Sequence, residues 1–375
     1  MAKRVLILSA SVGSGHVRAA EAVEKAFVAA HPEVEVMNLD ILDFTGALFR
    51  KLYSASYIEL IDRAPEFLGY LYDAMDKPSS PRRKRDRIRL VFDKLNTRKF
   101  RRFLAREEID YVLSTHFLPA ELVTALKAKD QFGAPQGIVV TDFEVQRVWY
   151  YPEVDHFFVS CPEAAVHMAS LGAEPESIHA TGIPVVPAFS RPADADGLRH
   201  ELALADDLPT VLVMAGGVGV GSVDEMIESF DAVSTPFQAV AIAGRSAELK
   251  ARLEAAAKRV KYRLAVVGFT SEIPRFMAAS DLLVSKPGGL TSSEALAMGL
   301  PILIVSPIPG QEARNTYYLL EHGAAAKAMH PATAAHKLQE ILGDPKRLAR
   351  MARAAKKLGR PRAAFDIADI VFNRL

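Results

Sequence analysis

Residues 5–16 read VLILSASVGSGH. The first four side chains are all apolar, which is typical of a parallel strand that is buried on both faces. Small residues with two glycines follow, and residues 17–30 then place alanine and larger apolar residues at helical spacing. A second stretch at 34–37 predicts another strand. Strand, glycine loop, helix and strand in this order predict an α/β unit that is built on a parallel sheet.

The second half of the chain repeats this order. An apolar run predicts a strand over 210–215, and a helical pattern covers 223–234. The loop between them contains Gly216, Gly217, Gly219 and Gly221. Further strands are predicted at 111–114, 137–141, 156–160, 239–243, 264–267, 282–285 and 302–305. The expected fold class is therefore α/β, with two facing Rossmann-like domains and a cleft between them.

Domain boundaries follow from the proline- and glycine-rich residues 182–195, which predict a linker. We expect an N-terminal domain over 1–187 and a C-terminal domain over 193–357. A final helix over 358–375 is expected to pack back towards the N-terminal domain. A length of 375 residues agrees with two domains, at about 150 residues each.

The composition excludes several classes of protein. The net charge of +1 argues against a dedicated nucleic-acid binder, so no nucleic-acid partner is expected. The single cysteine, Cys161, excludes a disulfide framework and a cysteine-rich zinc site, and it fits a reducing compartment. No apolar run reaches the roughly 18–20 residues that span a bilayer. We therefore expect a cytoplasmic protein, or one that is peripheral on the cytoplasmic face of a membrane.

Residues 44–106 differ from the rest of the chain. Aromatic residues are frequent over 44–76, and residues 82–106 carry twelve Arg or Lys against two acids. An apolar stripe at helical spacing runs through these charges: Ile88, Val91, Phe92, Leu95, Phe100, Phe103 and Leu104. A charge run is usually a solvated helix face. The density of this one, beside so many aromatic residues, predicts binding to an anionic membrane surface, to which Phe44, Phe49 and Tyr53 would add interfacial contact.

The glycine loop that precedes the first helix carries His16 at the carboxyl end of the first strand. Ligands gather at this end of an open α/β sheet, and a helix N-terminus offers free N–H groups. The loop lacks the full G-x-G-x-x-G pattern, and no acidic residue takes the dinucleotide role at the end of the second strand. A lone histidine is more often structural, but its place on a glycine loop favours a general base.

The most specific motif is KPGGLTSSE at residues 286–294. Gly288 and Gly289 force a tight backbone, and Thr291 and Ser292 are expected to open a helix whose N-terminus suits a diphosphate. Glu294 would then lie in the first turn. It is either a capping carboxylate or a carboxylate that binds a ribose diol.

A second polar cluster follows the next predicted strand. PIPGQE at residues 307–312, together with Asn315, places side chains suited to sugar hydroxyls after a turn. A plain proline–glycine turn would not need these polar residues.

These motifs resemble those of the family-28 glycosyltransferases. Within that family the chain is most similar to the monogalactosyldiacylglycerol synthases and the bacterial processive diacylglycerol glucosyltransferases. The matching segments run nearly the whole chain in order: SASVGSGHVRAAEA, VTDF with a following Trp, TGIPV, GF-T, KPGGLTSSEALAMGLP and PIPGQEARN. The resemblance implies a GT-B fold, an acceptor bound by the first domain and a nucleotide sugar bound by the second. It also implies inverting transfer with no cofactor and no essential metal.

The resemblance also implies a role for individual residues. His16 would be the base or would orient the acceptor, and Gly15, Asp142 and Trp149 match the acceptor side. Many relatives have His where this chain has Gln146, which we interpret as an acceptor contact. The residues implied on the nucleotide-sugar side are Gly216, Gly217 and Gly219 near the diphosphate, the Phe269 backbone facing the uracil, Gly288, Gly289, Thr291 and Ser292 by the phosphates, Glu294 on the ribose, and Gln311, Glu312 and Asn315 on the sugar.

The function so implied is transfer of a hexose from UDP-glucose or UDP-galactose to the hydroxyl of diacylglycerol, at the membrane surface. Three alternatives stay open. One is an N-acetylglucosaminyltransferase that acts on a lipid-linked peptidoglycan precursor, and another is a UDP-sugar 2-epimerase. The third is a catalytically inactive member that binds lipid or nucleotide, against which the presence of His16, Glu294 and Gln311 together argues. The identity of the sugar, the number of sugars added and the oligomeric state are not determined by the sequence.

Overall fold

The computed structural model describes residues 2–46, 97–214 and 223–375. Most of the segment 44–106 and all four glycines of the second glycine loop lie outside these ranges. The chain divides into two compact units. Unit 1 ends at Pro187 and is completed by the C-terminal residues Arg362–Leu375, and unit 2 is Ala188–Pro361.

The elements of the described residues alternate between strand and helix along most of the chain. The strands are β1 Arg4–Ser9, β2 Glu35–Asp40, β3 Tyr111–Ser114, β4 Gln136–Val139, β5 His156–Phe158, β6 Ile178–His179, β7 Thr210–Met214, β8 Gln238–Ile242, β9 Arg263–Val267, β10 Leu282–Ser285, β11 Ile302–Val305 and β12 Ala325–Ala328. The helices are α1 Ser14–Ala30, α2 Thr97–Glu107, α3 Phe117–Lys127, α4 Pro162–Ser170, α5 Ala195–Glu201, α6 Val223–Ser229, α7 Ala247–Ala257, α8 Ile273–Ala278, α9 Gly289–Ala297, α10 Gln311–Glu321, α11 Pro331–Leu342, α12 Pro345–Leu358 and α13 Ala363–Phe372.

The sheet of unit 1 is parallel, with strand order β2-β1-β3-β4-β5-β6. Ile7 of β1 lies opposite Asn38 of β2 on one side and Leu113 of β3 on the other. The chain leaves β1 towards β2 and then returns past β1 to reach β3, so the winding direction reverses there. A reversal of this kind opens a crevice at the carboxyl ends of the two strands.

The sheet of unit 2 is also parallel, with strand order β12-β11-β10-β7-β8-β9. Val213 of β7 lies opposite Ala241 of β8 and Val284 of β10. The winding direction reverses between β7 and β10, which places the crevice of this unit at their carboxyl ends.

The predicted burial of β1 on both faces is confirmed, because its side chains alternate between two apolar clusters. Val5 and Ile7 pack in the cluster that contains residues of α1 and α13, among them Ile367. Leu6 and Leu8 pack in the opposite cluster with residues of α2 and α3, among them Phe100. The C-terminal helix is therefore part of the core of unit 1.

The prediction of a loop over residues 9–16 was wrong in part, because α1 already begins at Ser14. Gly13, with φ of 85°, is its N-cap and sits in the left-handed region that favours glycine. The short strands β6 and β12 were also not expected, because β6 has only two residues and β12 reads AAKA, which has no β-branched residue.

The aromatic and basic segment 44–106 is described only at its two ends. Phe100 and Leu104 of α2 are buried in the core of unit 1, with Phe103 packed against it. The ring of Phe44 lies 5.2 Å from that of Phe100 and 5.3 Å from that of Phe103. Phe44 thus packs on α2 and remains partly exposed, so its expected contact with lipid stays a prediction; Phe49 and Tyr53 lie outside the described residues. Within the three described ranges, no helix has the length and apolarity needed to cross a bilayer.

Candidate active site

His16 lies in the first turn of α1, directly after the carboxyl end of β1. Among the described residues no side chain caps this turn, and it contains no acidic residue. The N–H groups of a first helical turn have no partner within the helix, so they are available at the crevice of unit 1. Gly15 precedes His16 in the same turn and is only partly exposed. The topology of the sheet thus places an imidazole and a helix N-terminus at one crevice.

Two neighbouring strand ends hold the His16 ring in place. The Nδ1 atom lies 2.8 Å from the carbonyl oxygen of Thr115, which follows β3, and 3.0 Å from Oγ1 of Thr141, which follows β4. A carbonyl oxygen only accepts, so Nδ1 carries the proton and donates it to Thr115. The Thr115 hydroxyl in turn donates to the carbonyl oxygen of His16 at 2.9 Å. This arrangement leaves the lone pair of Nε2 as the basic site of the ring.

The surroundings of His16 keep its ring neutral. Burial lowers the pKa of His16 to about 4, and the hydrogen bond to the Thr115 carbonyl opposes this shift only in part. Among the described residues no carboxylate forms a hydrogen bond with the ring. The basic form of His16 therefore predominates at neutral pH.

His116 is a functional candidate that sequence reasoning missed. Its ring meets that of His16 edge to face, with centroids 4.6 Å apart. Its Nδ1 accepts the N–H of Leu118 at 3.0 Å and so caps α3, which fixes the proton on Nε2. Burial and the adjacent His16 hold the pKa of His116 well below its usual range. The signal in the sequence was a histidine in the segment that follows a buried strand, since His116 comes two residues after β3 and His16 likewise lies beyond the end of β1.

Trp149 and Gln146, which the sequence analysis assigned to the acceptor, are both buried in unit 1. The ring of Trp149 is fully buried, 6.1 Å from the His16 ring, and Phe117 meets it edge to face. Trp149 Nε1 and Gln146 Oε1 are buried and have no hydrogen-bond partner in the described part of the chain. Such groups cost about 1–3 kcal/mol each, and they concentrate where a ligand binds. Asp142 is buried next to Thr141.

The motif at residues 286–294 lies at the crevice of unit 2. Helix α9 begins at Gly289, after Gly288 as N-cap and with no side-chain cap. The expectation that Thr291 and Ser292 open this helix was wrong by two residues, because the two glycines themselves provide its N-terminus. Glu294 is consequently the sixth residue of α9 and not a first-turn cap. It is 1% exposed, and Ser292 is as deeply buried.

Side chains of the second polar cluster fix the loops around this helix. Asn315 Nδ2 donates to the carbonyl oxygen of Pro287 at 3.1 Å, which ties α10 to the loop before α9. Glu312 Oε2 accepts the N–H of Ile308 at 2.7 Å and so closes the turn that leads into α10. Gln311 is the first residue of α10, which follows Gly310 with φ of 100° and no side-chain cap. Two of the three residues that the sequence analysis assigned to the sugar, Glu312 and Asn315, thus form hydrogen bonds to backbone atoms.

Residues at the carboxyl ends of β7, β8, β9 and β10 lie around the unit 2 crevice. Ser285 at the end of β10 donates to the carbonyl oxygen of Met214 at the end of β7, at 3.4 Å. Phe269, which follows β9, is 61% exposed, and the guanidinium carbon of Arg245 lies 4.6 Å from its ring centroid. Arg245 follows β8 and was not among the predicted site residues. A large aromatic ring exposed beside an arginine is a surface on which a flat ligand could stack.

Comparisons with known proteins agree with this arrangement. Residues 16–185 match the family model for monogalactosyldiacylglycerol synthase, and residues 194–358 match that for glycosyl transferases group 1. The processive diacylglycerol beta-glucosyltransferase of Bacillus cereus (strain AH187) is 29% identical over 98% of this chain and 93% of its own length. The chain is a GT-B glycosyltransferase.

Solved structures show the same fold for this glycosyltransferase. MurG of Acinetobacter baumannii superposes with a TM-score of 0.65 at 18% identity over 99% of both chains. A UDP-GlcNAc 2-epimerase from Neisseria meningitidis bound to UDP-GlcNAc gives 0.60 at 12% identity over 99% of this chain and 100% of that one. The epimerase alternative considered above thus occurs on this fold, and the fold alone does not exclude it.

Most residues predicted for the glycosyltransferase site cluster within their own units. In unit 1, Gly15, His16 and Trp149 gather at the β1–β3 crevice, with Asp142 beside Thr141. In unit 2, the residues of α9 and Asn315 gather at the β7–β10 crevice. Gly216, Gly217 and Gly219 lie outside the described residues.

The lowered histidine pKa values predict that the glycosyltransferase loses stability in mild acid. The unfolded chain takes up protons near pH 6.5, whereas folded His16 does so only near 4. The stability that neutral His16 provides is complete above about pH 6.5 and is lost as the pH falls towards 4. The free energy of unfolding should fall by up to about 1.4 kcal/mol per pH unit per such histidine.

His16→Asn should make the dependence of urea unfolding on pH shallower between pH 6 and 5. His200→Asn, a change at an exposed position of α5, should leave the slope as it is in the wild type. Equal slopes in all three proteins would contradict the burial of a neutral His16.

Proposed function

We propose that this glycosyltransferase transfers a hexose from UDP-glucose or UDP-galactose to the hydroxyl of diacylglycerol, with inversion at the sugar carbon. The observation that carries the proposal is His16, a neutral imidazole fixed at Nδ1 by Thr115 with Nε2 left as a base. The names of the relatives support the lipid acceptor. The other residue roles inferred from the sequence are part of the same proposal.

In the proposed reaction unit 1 binds the acceptor and unit 2 the donor. The acceptor hydroxyl gives its proton to His16 Nε2 while its oxygen forms a bond to the anomeric carbon. The bond from that carbon to the β-phosphate oxygen breaks on the opposite side, and UDP leaves with the electron pair. With a pKa of about 4, His16 is a weak base, so proton transfer must accompany bond formation and not precede it.

The charge that develops on the departing diphosphate needs a compensating group. The N-terminus of α9, which Gly288 leaves without a side-chain cap, provides N–H groups for this purpose. Glu294 would bind the ribose, and no metal is required in this scheme. The anionic membrane surface remains part of the proposal, together with a location on the cytoplasmic face. Most of the segment 44–106 that was expected to bind the membrane lies outside the described residues.

A donor and acceptor screen tests the function directly. Purified protein is incubated with UDP-glucose, UDP-galactose or UDP-N-acetylglucosamine, each with dispersed diacylglycerol, and the products are identified by mass and sugar analysis. We expect a hexosyl-diacylglycerol and release of UDP. Transfer only to a lipid-linked peptidoglycan precursor, or interconversion of UDP-sugars without any acceptor, would overturn the proposal in favour of one of the two alternatives.

The role of His16 predicts the behaviour of two variants. His16→Ala should lower kcat by about 10²–10⁴-fold, the usual contribution of a general base, with little change in UDP affinity. His16→Gln should be as inactive, because an amide accepts a hydrogen bond but is not a base. In the wild type the acid limb of kcat/KM should lie nearer pH 4 than 6.5. Substantial recovery of activity in His16→Gln would instead assign the residue to acceptor orientation.

The role of Glu294 predicts weaker nucleotide binding. Glu294→Ala should weaken UDP and UDP-sugar equally, by about 10–100-fold, because a hydrogen bond to a charged group contributes roughly 1.5–3 kcal/mol. Glu321→Ala, at an exposed position of α10, is the matched control. Calorimetric titration with UDP, after thermal unfolding has shown that both variants fold, measures the effect. If the folded Glu294→Ala variant binds UDP with wild-type affinity, Glu294 serves packing and does not bind the nucleotide.

A further inference from the structure

A second basic segment lies in unit 2, far along the chain from the segment 44–106. Residues 344–362 read DPKRLARMARAAKKLGRPR, which is eight Arg or Lys against one acid in a chain with a net charge of +1. Helix α12 occupies most of this segment, with Asp344 as its N-cap. So strong a local imbalance is not needed to form the helix, because Ala and Leu would do so equally well.

The charges of α12 are arranged on one side of the helix. Lys346, Arg350, Arg353 and Lys357 follow one another at intervals of four, three and four residues, and all four are exposed. These intervals align side chains along a single face that is about 17 Å long. The opposite face is buried, with Met351 in the core of unit 2. The helix is thus held by its apolar side and presents a cationic stripe to solvent.

Most of this stripe has no anionic partner within the part of the protein that the structure describes. Arg350 lies 3.7 Å from Asp344, a long contact between exposed side chains. Lys346, Arg353 and Lys357 form no ion pair within the described residues. By contrast, Arg347 on the flank of the helix pairs with Glu340 at 3.2 Å. The charges on the exposed face are therefore available to an external anion.

The surface is concave at the start of the stripe. A depression of about 370 Å³ is lined by Pro345, Lys346, Ala349, Arg350 and Arg353. The only apolar residues in this lining are Pro345 and Ala349, so nothing here can insert deeply into hydrocarbon. A depression with cations and no aromatic ring suits phosphate groups of a polyanionic surface better than a single-stranded nucleic acid.

We propose that the exposed face of α12 (Lys346, Arg350, Arg353 and Lys357) is a docking surface for an anionic phospholipid bilayer. It binds headgroup phosphates electrostatically and without insertion, and it gives unit 2 its own contact with a membrane. The choice of a bilayer as the partner rests on the proposed function, since diacylglycerol resides there. The binding itself requires neither donor nor acceptor.

The test uses two triple variants of equal charge change. Lys346→Gln, Arg353→Gln and Lys357→Gln together remove three cations from the stripe. Arg191→Gln, Lys258→Gln and Lys261→Gln together remove an identical set of residue types from exposed positions elsewhere in unit 2. Full-length proteins are sedimented with vesicles of phosphatidylcholine alone or mixed with phosphatidylglycerol, at low and high salt, after thermal unfolding has verified folding.

Wild type and control should bind the anionic vesicles alike, in a salt-sensitive way, and bind neutral vesicles weakly. The stripe variant should lose about tenfold or more in partition to anionic vesicles. Equal binding by the two triple variants would overturn the proposal. So would release of wild-type protein by millimolar glycerol phosphate, because the face would then recognise a free phosphate and not a bilayer.

The transfer assay with a detergent-dispersed acceptor separates this proposal from the proposed function. The stripe variant should keep wild-type turnover there, since its changes lie outside both crevices; a loss of turnover would contradict a pure docking role. One outcome is that the wild type transfers no hexose, while the stripe variant binds anionic vesicles less than the control variant does. This result would support the docking surface and overturn the proposed function. The other outcome is that the wild type transfers hexose, while the two triple variants bind vesicles equally, which would support the proposed function and overturn the docking surface.

Discussion

The burial of β1 on both faces is the constraint on which unit 1 depends. Its side chains enter two apolar clusters in alternation, so none of its interior positions can carry a polar group without a large desolvation cost. The polar chemistry is consequently confined to the carboxyl ends of the strands, where the chain leaves the sheet. His16, Thr115 and Thr141 come from three adjacent strand ends and meet there through Nδ1 of His16. One cluster is completed by α13, so the last helix of the chain supports the sheet that positions the first motif.

Unit 2 resembles unit 1 in having helices that begin after a glycine and have no side-chain cap among the described residues. Helices α1, α9 and α10 all begin after a glycine and have no side-chain cap. Helices α5, α7 and α12 are instead capped by Asp194, Ser246 and Asp344. A capping side chain would occupy the N–H groups that an anionic ligand needs, so a glycine at the N-cap leaves them available. A glycine N-cap is therefore a feature of these three helices, whereas α3 at the unit 1 crevice is capped by the side chain of His116.

Much of the fold could be predicted because buried parallel strands leave an all-apolar signature, as in VLIL at 5–8 and LLV at 282–284. The family motifs likewise identified His16 and the α9 region. The helix starts were less predictable, since glycine N-caps look like continuing loop, and this error placed Glu294 in the wrong turn. The interfacial role of Phe44 stays a prediction, because composition does not show whether a ring that packs on Phe100 also faces a membrane. His116 was missed because its contact with His16 spans 100 residues and depends on the β1–β3 pairing.

The hydrogen-bond partner of His16 Nδ1 determines how basic Nε2 is, and therefore how much of the proposed catalysis His16 can supply. A carboxylate at Nδ1 would stabilise the imidazolium and raise the basicity of Nε2, whereas the neutral carbonyl of Thr115 does so only weakly. Burial and the adjacent His16 in turn hold the pKa of His116 well below its usual range, so both rings are uncharged at neutral pH. Unit 1 is therefore built to keep an uncharged ring in an apolar setting, which suits a weakly polar acceptor better than it suits strong base catalysis. Most of the barrier must then be lowered by stabilising the leaving group, the task for which the uncapped N-terminus of α9 is suited.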